Sequence, residues 1–227
     1  MKTSETESEK SSERKFETTG DFLSFLTNEI HTVVASTVDD DSLPVTCAID
    51  MMDSDENSLY FLTARGKGFY HRLKRQKFIA LTGIKGKDTM SSVAVSVCGH
   101  VEEERDIVLS HLLEKNPYML EIYPTEESRK ALSAFRIYDG AGEFFNLSVK
   151  PIVRKSFSFG NCSAESDAME ISDSCTGCGL CLAACPQQCI DSSTVPFRIR
   201  NENCLMCGRC IEICPQKAVS RRRSYDS

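Results

Sequence analysis

Nine cysteines lie between positions 175 and 214 of this 227-residue chain, and their spacing is regular. Cys175, Cys178 and Cys181 follow one another at intervals of three, Cys185 comes four later, and Pro186 follows it. The same order recurs in Cys204, Cys207, Cys210, Cys214 and Pro215, offset by 29 residues. Three thiols at this interval can be gathered by one tight loop, and thiolates are soft ligands suited to iron–sulfur clusters or zinc. A zinc ribbon needs only two Cys-x-x-Cys pairs. It leaves the third cysteine, the fourth and the prolines of each block without a purpose. Gly177, Gly179 and Gly208 give the loops backbone freedom and leave amides free to reach sulfur.

Both complete motifs resemble a bacterial-type ferredoxin with two [4Fe–4S] clusters, over residues 168–219. The resemblance implies that each cluster takes its fourth ligand from the opposite repeat. Cys175, Cys178, Cys181 and Cys214 would hold one cluster, and Cys204, Cys207, Cys210 and Cys185 the other. Cys189 aligns with Ala218 and is expected to pack as a small apolar residue. Cys47 and Cys98, in apolar strand-like runs, invite the same reading. Cys162 stands in a polar stretch as a candidate reactive thiol.

A second group of residues offers different chemistry. Thr63, Arg65, Gly66 and Lys67 form a basic, glycine-containing turn between a strand-like run and a helix-like one. Hydroxyl, cations and open amides at a helix start suit a phosphate. Taken alone, Arg65 and Lys67 fit a solvated turn equally well.

The elements around this turn are short. Residues 21–30 carry apolar side chains at helical spacing. Strand-like runs follow at 33–38, 45–51 and 59–63, a helix at 68–75, then strands at 78–84 and 92–102. Residues 103–115 read as a helix with acids in its first turn, 126–132 as a second helical stretch, and 134–138 and 143–149 as the last two strands. Many short strands with hairpin connections predict a small antiparallel barrel.

This order resembles the FMN-binding split barrel of the pyridoxamine 5′-phosphate oxidase-like superfamily, over residues 21–150. The resemblance implies that Thr63, Arg65, Gly66 and Lys67 hold the FMN phosphate. It also implies that Val45, Thr46 and Cys47 meet the isoalloxazine edge, and that Ser92, with Ser91 and the 143–146 strand, approaches from the partner across a homodimer interface. The namesake's Arg-x-His element has no counterpart here, so vitamin B6 oxidation is not expected. The fold alone does not decide the reaction.

The expected class is therefore α+β, mainly β: a six-stranded split β-barrel followed by a (βαβ)2 ferredoxin-type domain. The expected boundaries are a disordered tail at 1–20, the barrel at 21–152, a linker at 153–167, two repeats at 168–195 and 196–219, and a basic tail at 220–227. The formal charge of −6 argues against nucleic acid. No long apolar run suggests a membrane span, and the charged N-terminus does not read as a signal peptide. Twelve cysteines in such a chain point to a reducing cytoplasm. The expectation is an iron–sulfur flavoprotein that passes electrons between two clusters and FMN, with a redox protein or small molecule as its partner. The alternative is a redox sensor or carrier without catalysis, whose barrel only dimerises or binds another ligand such as haem. No residue stands out as a general acid.

Overall fold

The computed structural model describes residues 16–163 and 167–222. The N-terminal strands alternate in the way a two-residue period requires. In β1 (Thr32–Val38) Val33, Ala35 and Thr37 are buried, whereas in β4 (Phe78–Lys85) the buried set is Ile79, Leu81 and Gly83. With β2 (Pro44–Ser54), β3 (Leu59–Ala64), β5 (Val93–Glu103) and β6 (Leu132–Asn146) they form a closed antiparallel barrel in the order β3-β2-β1-β4-β5-β6. The β3–β6 pairing closes the ring.

β6 explains how the barrel is split. Its first half, Leu132 to Ile137, pairs with β3, and its second half, Gly140 to Asn146, pairs with β7 (Val153–Phe159). β5 runs beside both halves, with a register shift between His100 and Val101 where the partner on the far side changes. A bulge bends and twists a strand in this way. Two sequence expectations are corrected here. The strands expected at 134–138 and 143–149 are one strand of 15 residues. Its Asp139–Gly142 stretch has turn composition, but the glycines serve close packing. A Cβ on Gly140 would sit 2.6 Å from the Phe159 ring, and one on Gly142 2.5 Å from that of Phe157. The 153–167 segment, expected as a linker, begins with β7, whose Phe157 and Phe159 face the core while serines alternate outward.

The barrel is plugged at both ends. α1 (Thr19–Phe25) and the π-helical turn after it (Leu26–Ile30) fill one end, where Phe22 lies 5.1 Å from the Phe144 ring and 4.7 Å from that of Phe157. Thr18 caps α1, so the chain is ordered into structure before position 20, and the expected 1–20 tail is corrected to that extent. Residues 1–15 lie outside the described residues. α2 (Gly68–Gln76) lies over the other end through Phe69 and Leu73. α3 (Asp106–Lys115), α4 (Met119–Ile122) and α5 (Glu126–Arg129) cover β2, β3 and β6 from outside, burying Leu112, Leu113 and Met119 against Met52, Leu62 and Leu132.

The C-terminal part has the order β8 (Ala168–Ile171), α6 (Leu180–Ala184), β9 (Ile190–Asp191), β10 (Arg198–Ile199), α7 (Arg209–Ile213), β11 (Val219–Arg222). β8 pairs with β11 and β9 with β10, which makes a (βαβ)2 unit. The expected basic tail is corrected in part: Arg221 and Arg222 belong to β11 and pair with Asp167 and Glu170. Residues 223–227 lie outside the described residues. The unit is tied to the barrel where Asn203 Nδ2 donates to the Ile152 carbonyl at 2.8 Å and Arg154 Nη1 to that of Asp167 at 3.3 Å.

Candidate functional site

The two cysteine repeats are one backbone used twice. Gly179 and Gly208 open α6 and α7 with φ of 78° and 77°, and Gln188 and Lys217 both have φ of 51°. Met206 takes, at φ 54°, the left-handed conformation that Gly177 takes at 70° in the first loop. Such angles turn successive amides toward a common point, a shape that binds anionic groups. The Met206 N–H already donates to Cys204 Sγ at 3.3 Å, and the Ala218 N–H to Cys214 Sγ at 3.4 Å.

Each fourth cysteine ends a short helix, and the helix carries it across. Cys175, Cys178 and Cys181 line one hollow together with Cys214. Cys204, Cys207 and Cys210 line a second together with Cys185. The thiols ring these hollows without converging: among the described residues, no three His, Cys, Asp or Glu side chains gather as they would around a single ion. Phe197, Ile171 and Val219 supply apolar wall to the first hollow, and Met169, Ile190 and Ile199 to the second. This chemistry of two four-thiol sets in apolar walls, with amides on sulfur, fits an iron–sulfur cluster in each. Burial pushes the Cys181 and Cys210 thiols up, and metal binding must displace such protons.

Cys189 is buried, as an apolar packing residue would be, but it also lines the second hollow, with its Sγ 3.5 Å from that of Cys185. Its hydrogen bond to Cys204 and its burial push its thiol up, while the same bond holds Cys204 below its ordinary value. Cys98 and Cys47 are half-buried, and burial raises both thiols.

In the barrel, Thr63 is buried at the end of β3, and the turn after it is closed by the Lys67 N–H bonding to the Ala64 carbonyl at 3.1 Å. A Cβ on Gly66 would meet nothing within 4 Å, so its backbone is open to a ligand. Lys67 is the N-cap of α2. Arg72, one turn on, donates from Nε to Thr37 Oγ1 at 2.8 Å. The charges of Arg72 and Lys67 both act on Cys47 and oppose the rise that burial causes there. Thr37, Cys47, Lys67 and Arg72 thus share one end of the barrel. Thr37 and Arg72 went unnoticed in the sequence, although Arg72 lies one helical turn beyond Gly68.

Arg65 departs from this group. It lines a hollow of ≈ 540 Å³ with Asp106, Glu114 and Glu126 and with the cations of Arg129 and Lys130, a setting of mixed charge. Val45 and Thr46 lie on β2 opposite Thr37 and Ser36, at the same end as the turn. Ser92 precedes β5 at the opposite end of the strands, where its Oγ donates to the Thr89 carbonyl at 2.8 Å. Within one chain Ser92 does not join the basic turn at 63–67. The outer face between them, over β1, β4 and β5, presents Val34, Ala80, Thr82, Ile84 and Ser96 without a charge, and Val34 and Ile84 are 57% and 66% exposed.

Residues 174–218 match the family model of the 4Fe-4S dicluster domain. No curated protein matches the chain. Among solved structures, the barrel is similar to a NimC/NimA family protein from Clostridium acetobutylicum, at 17% identity over 59% of this chain and 88% of that one, with a TM-score of 0.48. It is also similar to a protein of the pyridoxinephosphate oxidase family from the same organism, at 17% identity over 60% and 95%, TM-score 0.47. A heme binding protein from Mycobacterium smegmatis matches at 9% identity over 63% of this chain and 58% of that one, TM-score 0.50. The chain joins a barrel closed by the β3–β6 pairing to a 4Fe-4S dicluster domain at 174–218, and that domain supports a redox, electron-transfer role at a coarse level. Among the described residues, no helix is long and apolar enough to cross a membrane.

Proposed function

We propose that this fusion of split barrel and dicluster domain is a cytoplasmic iron–sulfur flavoprotein, which passes electrons between two [4Fe–4S] clusters and FMN and reduces a small molecule or a redox partner. The observation that carries the reading is the crossing of Cys185 and Cys214 into opposite hollows. When bound, the clusters supply one-electron transfer and the flavin both one- and two-electron transfer.

The chain's own residues divide the work. Cys175, Cys178, Cys181 and Cys214 hold the first cluster, and Cys204, Cys207, Cys210 and Cys185 the second. The Thr63 hydroxyl, the Gly66 backbone and the Lys67 ammonium bind the phosphate at the start of α2, and Arg72 adds a second cation at that end. The backbone of Val45, Thr46 and Cys47 lies along the ring system. Arg65 serves this site only by turning away from its present hollow. Ser92 serves it from a second copy, and the uncharged face of β1, β4 and β5 is the dimer surface. Seven acidic and four basic side chains over residues 156–219 favour a basic redox protein as a docking partner.

Anaerobic purification tests both cofactors. Iron and acid-labile sulfide near eight each per chain (about four per cubane) and flavin absorption that releases FMN on denaturation are the expected results. A cluster spectrum without flavin would overturn the FMN assignment and leave the dicluster protein standing. Far less than eight iron would overturn the clusters themselves.

A further inference from the structure

Between the Met90 and 147–152 loops of the barrel and the second cysteine hollow lies a cleft of ≈ 700 Å³, within the size range of small-molecule sites. From the barrel side, Met90, Leu147, Val149 and Ile152 give it an apolar floor, and Met90 is 60% exposed among the described residues. Among the described residues, Lys150 and Arg200 are the charged side chains that line it and no Asp or Glu does, in a chain whose net charge is −6. Neither cation is within ion-pair distance of a carboxylate among the described residues, although the charge of Arg200 acts on Asp191. The far wall is Pro186, Gln187 and Cys189, and these three residues also line the hollow of Cys185, Cys204, Cys207 and Cys210.

The wall is held in place. Asn203 bonds the Ile152 carbonyl across the cleft, the Arg200 N–H donates to the Cys189 carbonyl at 2.8 Å, and Arg200 Nη2 to that of Gln188 at 3.0 Å. The two parts of the chain are thus tied around the space, so its shape does not depend on a mobile flap.

We infer that this cleft is a binding site for a small organic anion: an apolar or aromatic body on the Met90–Val149 floor, with a carboxylate directed to Lys150 and Arg200. A molecule seated there is one residue's thickness from the second hollow. The inference goes beyond the flavin assignment and stands without it; the dicluster reading enters only through the signal that locates the ligand.

Equilibrium dialysis of the full, cluster-loaded chain against anthranilate tests it. Aniline carries the body without the charge, and inorganic phosphate a charge without the body. Anthranilate is expected to bind saturably at one per chain and at least tenfold more tightly than either. Lys150→Glu and Arg200→Gln are each expected to weaken it at least tenfold at unchanged iron content. The ligand is also expected to shift the electron paramagnetic resonance of one reduced cluster, and this shift is expected to vanish in Lys150→Glu. Saturation absent up to about 10 mM (weaker than about 3 kcal/mol), aniline bound as well as anthranilate, or affinity unchanged in both variants would overturn the site. If Arg200→Gln loses iron, Lys150→Glu alone decides, because Lys150 is exposed and outside the dicluster domain.

Discussion

Cys214 sits in the second repeat by sequence and in the first hollow by structure. This gives the interleaving a test that single substitutions lack. In Cys178→Ser/Cys214→Ser both changes strike one hollow, so about four iron per chain should remain. In Cys207→Ser/Cys214→Ser each hollow loses a thiolate, and iron should fall toward zero. The reverse ranking would mean that each repeat holds its own cluster. Glu103 carries a second residue-scale prediction. Burial alone would raise its carboxyl, but hydrogen bonds from Lys74, at 2.6 Å, and Ser133 hold it below the usual carboxylate range. A depressed acid stabilises the fold above its unfolded pKa, and that contribution is lost as pH falls through its folded pKa. Wild type should therefore exceed Glu103→Gln in denaturant midpoint at neutral pH, and the gap should close as the solution is acidified below the ordinary carboxylate pKa. A gap that stays constant with pH would show that Glu103 acts by packing alone. The cysteines were legible from sequence because ligand spacing is local. Arg72 and the place of Arg65 in the hollow beside α3 were not, because both depend on how α2 and α3 sit on the barrel.

The same distinction holds for the elements. β1, β4 and β5 bury one face with a period of two, while β2 and β3, covered on their second face by α3 and α4, were legible only from their strand-forming composition. β6 was not, because Asp139-Gly140-Ala141-Gly142 has the composition of a turn, and its reason for glycine is the nearness of Phe157 and Phe159 on a strand that itself read as a serine-rich linker. A Cβ on Gly142 would also lie 2.5 Å from the Ser96 carbonyl oxygen, which is backbone and cannot swing aside. Gly142→Ala should therefore destabilise the barrel by about 1–3 kcal/mol through overpacking, read as a lower thermal or denaturant midpoint. Gly66→Ala, whose Cβ meets open space, should leave that midpoint within about 0.5 kcal/mol. Equal effects would mean that the split in the barrel does not depend on close packing of β6 under β7.

Across the whole molecule, the basic turn and the dicluster domain stand at opposite ends of the strands. β3 delivers Thr63 and Lys67 to the α2 end, while β6 and β7 meet Asn203 at the other. Seven strand residues span about 23 Å at roughly 3.3 Å each, so one chain alone separates its basic turn from its second hollow by the height of the barrel. Ser92 lies at the dicluster end, and under the proposed assignment would reach a flavin at the turn only from another copy. Under the proposed homodimer, the uncharged face with Val34 and Ile84 would receive that copy, because burying it would leave no charge unpaired. Val34→Lys/Ile84→Lys puts two cations on that face at positions already exposed, so the barrel itself should fold. The expected variant is a monomer by sedimentation, with full iron, which no longer retains FMN. A monomer that holds one FMN per chain would show the flavin site complete within a single barrel, and electrons would then have to cross its whole height without a second subunit.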